Sequence, residues 1–219
     1  MSRVNPIRIL ITAGATQEHI DGVRFIGNRS SGQLGATLAL ISAIRGYEVT
    51  LLLGGNSVKQ TAHPRLLTIP FSSTRDLQAK LLELWPTHQI LIMAAAVADF
   101  TPKSGQIEGK IRRGDSHQLD LIPTEDLVSG LATNAREDQR ILAFALEHTD
   151  NLPASALEKL ERKKVDAIVA NPLATMDANT ISAEIYCKDG RRLAPAPDLQ
   201  KPEFANWLIE HLDEILAIT

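Results

Sequence analysis

The sequence predicts an α/β fold with a Rossmann-like, mostly parallel sheet, helices on both faces and a late β-hairpin. Three observations support this fold class. Short apolar runs alternate with segments of helical periodicity, an order typical of β-α-β units. A turn of small residues follows the first apolar run at positions 12–16. Two late segments, 181–187 and 191–193, flank Asp189-Gly190, a dipeptide that favours a hairpin turn.

The elements of the amino-terminal half follow from local apolar periodicity and turn signals. In chain order they are a strand at 7–11, a helix at 31–45 with Leu34, Leu38, Ile41 and Ile44 on one side, and strands at 49–53 and 67–69, followed by a helix at 73–85 and a strand at 89–96. Ser72, Ser73 or Thr74 is the predicted N-cap of the second helix, because short hydroxyl side chains accept hydrogen bonds from free first-turn amides.

The same rules define the carboxy-terminal half. Its predicted elements are a helix at 124–134, a strand at 140–147, a helix at 154–164, a strand at 166–170, a hairpin at 181–187 with 191–193, and a terminal helix at 201–217. The polar segment 101–118 has no periodicity. A loop of that length in a compact domain is usually functional or disordered.

Composition limits the classes of partner. The 219 residues carry a net charge of −3 at pH 7, whereas a nucleic-acid footprint calls for an excess of Lys and Arg. We therefore expect no nucleic-acid partner. Basic residues cluster at 110–113 and 158–164, which suits a single anionic ligand. The length is enough for one sizeable domain, and we expect that domain to cover 1–219.

The single cysteine, Cys187, cannot form an intramolecular disulfide, which fits a reducing compartment. We interpret it as structural, because no obvious base accompanies it. The amino terminus lacks a secretory apolar region, and no apolar run approaches the roughly 20 residues needed to span a bilayer. The expectation is a cytoplasmic protein with no membrane partner.

Parallel sheets bind ligands beyond the carboxyl ends of their strands, and the segment 24–35 follows the first of these ends. Ser30, Gly32 and Gly35 stand at the start of the first predicted helix. Serine hydroxyls there cap free amides, glycines let the backbone approach a phosphate, and the helix terminus adds partial positive charge. The alternative is an ordinary capped helix start without a ligand.

Arg24 and Asn28 lie four residues apart in the same segment. An arginine fork suits a carboxylate or a phosphate. An asparagine amide can donate to an acyl oxygen while accepting elsewhere. The alternatives are a solvated loop arginine and a turn asparagine that tolerates left-handed backbone.

Further candidates follow later strands. Ala95 and Ala96 leave room against bare backbone, and Asp99 can accept from a substrate amide or hydroxyl; tight packing with Asp99 as a cap is the alternative. Lys110, in the basic cluster, is a mobile point charge suited to phosphate oxygens, or else part of a solvated charge run.

Two more residues stand near predicted strand ends. Phe144 can pack on a base or sugar, although core packing explains it as well. Asn171 can read polar edges of a ligand. The six histidines show no metal-ligand spacing, so metal ligands stay unassigned.

Together these motifs resemble the phosphopantothenate–cysteine ligase family, also called phosphopantothenoylcysteine synthetase, over about 8–216. The matching segments are Thr12-Ala13-Gly14-Ala15-Thr16, Arg24-Phe25-Ile26-Gly27-Asn28-Arg29-Ser30-Ser31-Gly32, Ala94-Ala95-Ala96-Val97-Ala98-Asp99-Phe100, Lys110-Ile111-Arg112-Arg113 and Ala170-Asn171. The resemblance implies a stand-alone ligase without a flavin decarboxylase domain, and therefore no flavin.

The resemblance also implies the reaction, a step of coenzyme A biosynthesis. A nucleoside triphosphate activates the carboxylate of 4′-phosphopantothenate as an acyl-nucleotide and releases pyrophosphate. The amine of cysteine then displaces the nucleotide to give the amide. CTP is favoured over ATP as co-substrate, with Mg²⁺, and the implied assembly is a homodimer.

Residue roles carry over by motif. The implied nucleotide-binding residues are Gly14, Ser30, Gly32, Gly35, Asp99, Lys110, Phe144 and Asn171. The implied substrate-binding residues are Arg24, Asn28, Ala95, Ala96 and Asp99. Asn28 would hold the carboxylate and then the acyl-nucleotide, and Lys110 would stabilise phosphate charge from a closing loop. Arg24 would reach the site of the neighbouring subunit.

A second hypothesis comes from another class of protein, an NAD(P)- or flavin-binding oxidoreductase or sensor module. The strand–turn–helix opening motivates it. Against it, the chain has no G-x-G-x-x-G, and Glu48 is a weak candidate for ribose binding.

Overall fold

The computed structural model describes residues 6–114, 117–147, 151–173 and 178–218. Its strands, in chain order, are β1 Arg8–Ala13, β2 Gln17–His19, β3 Phe25–Gly27, β4 Glu48–Gly54, β5 Leu66–Phe71, β6 Ile90–Met93, β7 Phe100–Pro102, β8 Leu121–Pro123, β9 Arg140–Glu147, β10 Ala167–Pro172, β11 Thr180–Ile181, β12 Glu184–Cys187, β13 Arg192–Leu193 and β14 Leu199–Gln200. Its helices are α1 Gln33–Ile44, α2 Thr74–Leu84, α3 Leu127–Thr133, α4 Leu152–Lys163, α5 Lys201–Glu210 and α6 Leu212–Leu216, with a short 3₁₀ turn at Trp85–Thr87.

Eight strands form one sheet in the order β13-β12-β10-β9-β6-β1-β4-β5. All pairs from β10 to β5 are parallel, while β12 and β13 add an antiparallel edge. The six parallel strands thus follow the order of a dinucleotide-binding sheet, in which the direction of strand addition reverses between β1 and β6. Such a switch point opens a crevice at the carboxyl ends of these two strands. The predicted fold class, including the late hairpin of β12 and β13, is confirmed.

Helices cover both faces of the sheet. On one face α1, α5 and α6 bury Leu38, Phe204 and Ile215 against the side of β1 that carries Ile9 and Ile11. On the other face α2, α3 and α4 pack around Leu10. Strand β1 is therefore buried on both sides, which is why it reads as a continuous apolar run in the sequence.

Several predicted boundaries need correction. Ile44 is 65% exposed, so the buried side of α1 is narrower than the periodicity indicated. The terminal helix is interrupted at His211, where the first segment ends before α6 begins. The strand predicted at 89–96 ends at Met93, because the alanines after it pair with the turn following β1 instead. For α2, Ser73 is the N-cap and accepts from the amide of Asp76.

Three small two-stranded sheets were not predicted. They pair β2 with β3, β7 with β8, and β11 with β14. The first pairs a strand that precedes segment 24–35 with a strand at the start of that segment. The second pairs two strands at opposite ends of the polar segment 101–118. Runs of two or three residues are too short to show alternation, so sequence periodicity could not reveal them.

Candidate active site

A cleft of about 1090 Å³ opens at the switch point of the sheet. Its walls come from the start of α1, the loops after β6 and β8, the end of β9, and basic side chains of α4 and α5. The lining residues include Asn28, Ser30, Gly32, Gly35, Ala95, Ala96, Asp99, Phe144 and Asn171. Nine of the twelve residues singled out in the sequence therefore meet in one cleft.

The turn after β1 and the alanines after β6 are held together by hydrogen bonds. The amide of Ala96 donates to the carbonyl of Gly14 at 2.8 Å, and the amide of Thr16 donates back to Ala96 at 3.2 Å. Buried Thr12 and Thr16 accept from the amides of Ala95 at 3.0 Å and Ala98 at 2.9 Å. The alanine segment is thus a fixed backbone wall with short side chains, which leaves space for a ligand.

The start of α1 differs from the prediction in its capping. The N-cap is Gly32, with a left-handed φ of 72°, and no side chain caps it. Ser31 Oγ accepts from the amide of Gln33 only at a long 3.4 Å. The expectation that serine hydroxyls cap these amides is therefore wrong. First-turn amides without a side-chain cap, next to a cleft, suit an anionic ligand.

Close packing explains two of the glycines. A Cβ on Gly35 would lie 2.6 Å from the Cβ of Ala13, so only glycine lets α1 approach β1 this closely. A Cβ on Gly32 would lie 2.7 Å from Ser57 Oγ and 3.1 Å from the amide nitrogen of Gly14. Gly14 therefore lies directly behind Gly32 and does not line the cleft itself.

Asn28 projects into the cleft from the end of the β2–β3 hairpin. Its Nδ2 donates to the carbonyl of Val97 at 3.0 Å, which ties the hairpin to the alanine segment. One amide hydrogen and Oδ1 are then left for a ligand, because an asparagine amide has two donors and one acceptor oxygen. The side chain itself is exposed.

Asp99 and Phe144 take different positions in the cleft. Thr124 holds the segment of Asp99 through two bonds, from its amide to the carbonyl of Asp99 at 2.9 Å and from Oγ1 to Ala98 at 2.6 Å. Asp99 is exposed and lines the cleft. Phe144 is half-buried and packs against the core while it also lines the cleft, so core packing is observed and contact with a base or sugar stays a prediction.

Arg24 and Lys110 do not line the cleft. Arg24 donates from Nε and Nη2 to the carboxylate of Asp21 at 3.0 and 2.5 Å, and from Nη2 to the carbonyl of Ile111 at 2.7 Å. Lys110 is exposed on the segment that Arg24 holds. The structure thus brings these two residues together, which their separation in sequence did not predict.

Basic side chains form part of the cleft wall. Lys159, Arg162 and Lys163 of α4 line it, and so does Lys201 at the start of α5. The first three belong to the cluster at 158–164 that the sequence marked as suited to an anion. Lys201 was missed, because a lysine at the start of a helix has no distinguishing sequence signal.

Lys163 is already paired with an acid. Its Nζ lies 2.9 Å from Oδ2 of Asp126, and Oδ1 of the same carboxylate accepts from the amide of Ser129. Burial raises the pKa of Asp126, but these hydrogen bonds outweigh it and hold the pKa below its ordinary value. Within the described ranges, no three His, Cys, Asp or Glu side chains are grouped to hold a metal ion.

Cys187 lies away from this cleft. Its thiol is buried, which raises the pKa of the thiol. It lines a second cavity of about 490 Å³, where β9 begins and β12 ends. These features agree with a structural cysteine. No helix in the described part of the chain has the length and apolarity that a membrane span requires.

Comparison with known proteins gives one family and close relatives. The family model for the DNA/pantothenate metabolism flavoprotein C-terminal domain matches residues 4–216. A Coenzyme A biosynthesis bifunctional protein CoaBC of Bacillus subtilis is 35% identical over 218 residues, covering 96% of this chain and 51% of that protein. A cysteine/cysteine sulfinic acid decarboxylase of an unknown prokaryotic organism is 40% identical over 171 residues, covering 78% of this chain and 47% of that protein.

A solved structure shows the same fold. The crystal structure of the C-terminal domain of a CoaBC protein has a TM-score of 0.80 and 30% identity, with 97% of each chain covered. The chain spans about half the length of the curated relatives it matches. The likeness therefore concerns one part of those longer proteins.

Proposed function

The chain belongs to the DNA/pantothenate metabolism flavoprotein C-terminal domain family, and from that premise we propose that it is a ligase joining 4′-phosphopantothenate to cysteine. The observation that carries this proposal is the cleft itself. It combines an anion-suited helix start, an asparagine with free hydrogen-bonding groups, and basic side chains in its lining. Those are the groups that a triphosphate and a carboxylic acid require in one place.

The proposed reaction has two steps. A carboxylate oxygen of phosphopantothenate attacks the α-phosphorus of the nucleotide, and the bond to pyrophosphate breaks. The amine nitrogen of cysteine then attacks the acyl carbon, loses a proton and expels the nucleoside monophosphate. Asn28 holds the acyl oxygen through both steps, and Lys110 offsets the charge that develops on the phosphates.

The nucleotide is proposed to lie along α1 and β9. The amides near Gly32 and Gly35 face its phosphates, while Phe144 and Asn171 contact its base and sugar. We propose CTP as the preferred co-substrate and ATP as the weaker one. No flavin is part of this proposal.

Magnesium is proposed to enter with the triphosphate. Mg²⁺ is commonly bound through one or two carboxylates together with substrate phosphates rather than by a complete protein cage. The cleft carboxylates fit that pattern: Asp99 is exposed, whereas Asp126 is paired with Lys163 and Glu125 accepts from Gln78. Asp99 is the residue we assign to such an ion.

Pyrophosphate release tests the proposed function directly. Purified protein is incubated with cysteine, Mg²⁺ and either CTP or ATP, with and without 4′-phosphopantothenate. We expect pyrophosphate and nucleoside monophosphate only when phosphopantothenate is present, and faster with CTP. Pyrophosphate release that ignores phosphopantothenate would rule out the ligase.

The same preparation tests the oxidoreductase hypothesis. A thermal-shift series compares NADPH, FMN, CTP and ATP, because a ligand that binds the native state raises the melting temperature. Stabilisation by CTP is expected. Stabilisation by NADPH alone, together with no pyrophosphate release, would favour the oxidoreductase or sensor module instead.

We also propose a homodimer that forms through the two hairpins beside the cleft. Exposed apolar side chains cluster on β2–β3 and β7–β8, and contiguous exposed apolar surface marks interaction sites. The residues are Val23, Phe25, Phe100, Leu121 and Ile122, with exposures of 63, 42, 51, 44 and 41%. A second copy packed here would also bring Arg24 close to the site of its neighbour. One domain over 1–219 and a cytoplasmic location complete the proposal.

Analytical ultracentrifugation checks this assembly. Leu121→Asp is expected to shift the protein from dimer to monomer, because a charge cannot be desolvated in an apolar interface without a partner. Leu157→Asp is the matched control: Leu157 is 51% exposed on α4, away from the hairpins. Equal behaviour of the two variants would contradict an interface at the hairpins.

A further inference from the structure

Asp21 is a buried carboxylate in the connection between β2 and β3 that the reaction does not use. It has no exposed surface. Oδ1 accepts from the amides of Val23 at 2.8 Å and Arg24 at 2.7 Å. Oδ2 accepts from the Arg24 guanidinium and from the amide of Ile111 at 3.0 Å. Five donors on one carboxylate are more than a turn requires.

The bond to Ile111 crosses a long stretch of sequence. Ile111 lies 90 residues beyond Asp21 and belongs to the polar segment between β7 and β8. Two further bonds join the same stretches, from the amide of Gly22 to the carbonyl of Gly109 at 2.7 Å and from the amide of Ile107 to the carbonyl of Ile20 at 2.9 Å. The connection between β2 and β3 therefore holds segment 107–111 in place through hydrogen bonds.

Lys110 stands between the two anchored residues. Gly109 accepts from the hairpin on one side of it, and on the other side Ile111 both donates to Asp21 and accepts from Arg24 at 2.7 Å. The backbone of Lys110 is thus fixed in both directions while its side chain remains exposed. An anchored backbone with a free ammonium is suited to deliver charge at a defined position.

We propose that Asp21 is a positioning residue that, with Arg24, fixes the backbone on both sides of Lys110 beside the cleft. This inference rests on the proposed function for the role of Lys110, although the anchoring itself does not. Burial would raise the pKa of Asp21, but the hydrogen bonds it accepts, first those of the Arg24 side chain, hold the pKa well below its usual range. The Asp21 carboxylate therefore stays ionised at neutral pH.

Limited trypsin digestion measures this anchoring without any substrate. Asp21→Asn keeps the size of the side chain but removes its charge, and its amide places a donor where only acceptors are wanted. We expect cleavage after Lys110, Arg112 and Arg113, mapped by mass spectrometry, to become about tenfold faster, because local opening exposes the segment. An unchanged rate at these bonds would overturn the proposal.

Glu18→Gln is the matched control. Glu18 is 5% exposed in the same hairpin, but its carboxylate accepts from the amide and hydroxyl of Thr74 rather than from the segment of Lys110. Cleavage at 110–113 should stay at the wild-type rate in this variant. Equal acceleration in both variants would mean general loosening of the hairpin and would also overturn the proposal.

Two further measurements keep the test decisive. If Asp21→Asn fails to fold by circular dichroism, Arg24→Gln replaces it, since the three backbone donors to Asp21 remain; an unchanged cleavage rate in that variant overturns the proposal as well. In the ligase assay, Asp21→Asn should lower kcat about ten- to a hundredfold with little change in KM. If the wild-type protein has no ligase activity but the Asp21 variant is still cleaved faster, the proposed function is refuted. The anchoring by Asp21 then remains supported.

Discussion

Lys110→Gln is expected to lower kcat by about 10²–10³-fold, equivalent to about 2.7–4 kcal/mol of transition-state stabilisation, while the Kd of the nucleotide changes little. The reason lies in the position of the residue. Lys110 is exposed and outside the cleft wall, so it contributes little to ground-state binding. In the proposed reaction its charge matters when negative charge moves onto the leaving pyrophosphate, and removing an interaction made only then lowers kcat.

The measurement compares single-turnover pyrophosphate release with nucleotide affinity from equilibrium binding. Lys103→Gln is the control, because Lys103 is also exposed and directly follows β7. Its amide donates to the carbonyl of Asp120. That variant should keep the wild-type kcat. A Lys110→Gln protein that loses affinity and turnover in equal proportion would contradict transition-state stabilisation by this lysine.

The sheet could be predicted from sequence because burial leaves a strong local signal. A strand covered on both faces, such as β1, must be apolar at every position. The helix α2 begins at one of the three residues considered as its N-cap, because capping is a chemical property of a single side chain. The cleft also followed, since the carboxyl ends of parallel strands meet at one edge.

Contacts between distant segments could not be predicted in the same way. Nothing in the local sequence of Asp21 indicates that its carboxylate accepts from Ile111. The predicted capping of α1 was wrong for a related reason. Serine side chains can cap a helix, but Gly32 takes the N-cap position with a left-handed φ. The pairing of three-residue strands depends on tertiary packing, and so does the position of Lys201 in the cleft wall. Sequence periodicity does not record either.

Asn28→Ala is expected to separate the two chemical steps. The acyl-nucleotide should still form, because the α1 amides proposed to face the phosphates remain, but its conversion to the amide should slow by about 10²-fold when one donor to the acyl oxygen is lost. The donor is the second hydrogen of Nδ2, since the first is bonded to Val97 at 3.0 Å. Rapid quench with radiolabelled CTP should show a burst of about one pyrophosphate per site, followed by slow amide formation.

Two companion variants distinguish the donor from the fold. Asn28→Asp keeps the shape of the side chain but cannot donate when ionised, so it should show the same burst and the same slow second step. Asn134→Ala removes a comparable bond, from Nδ2 to the carbonyl of Gly130 at the end of α3, and should turn over normally. Normal amide formation in Asn28→Ala would refute the role of Asn28. A slow second step in both Asn28 variants, with unchanged melting temperatures, would instead place the loss at the acyl oxygen, because the hairpin would then be intact and only the donor gone.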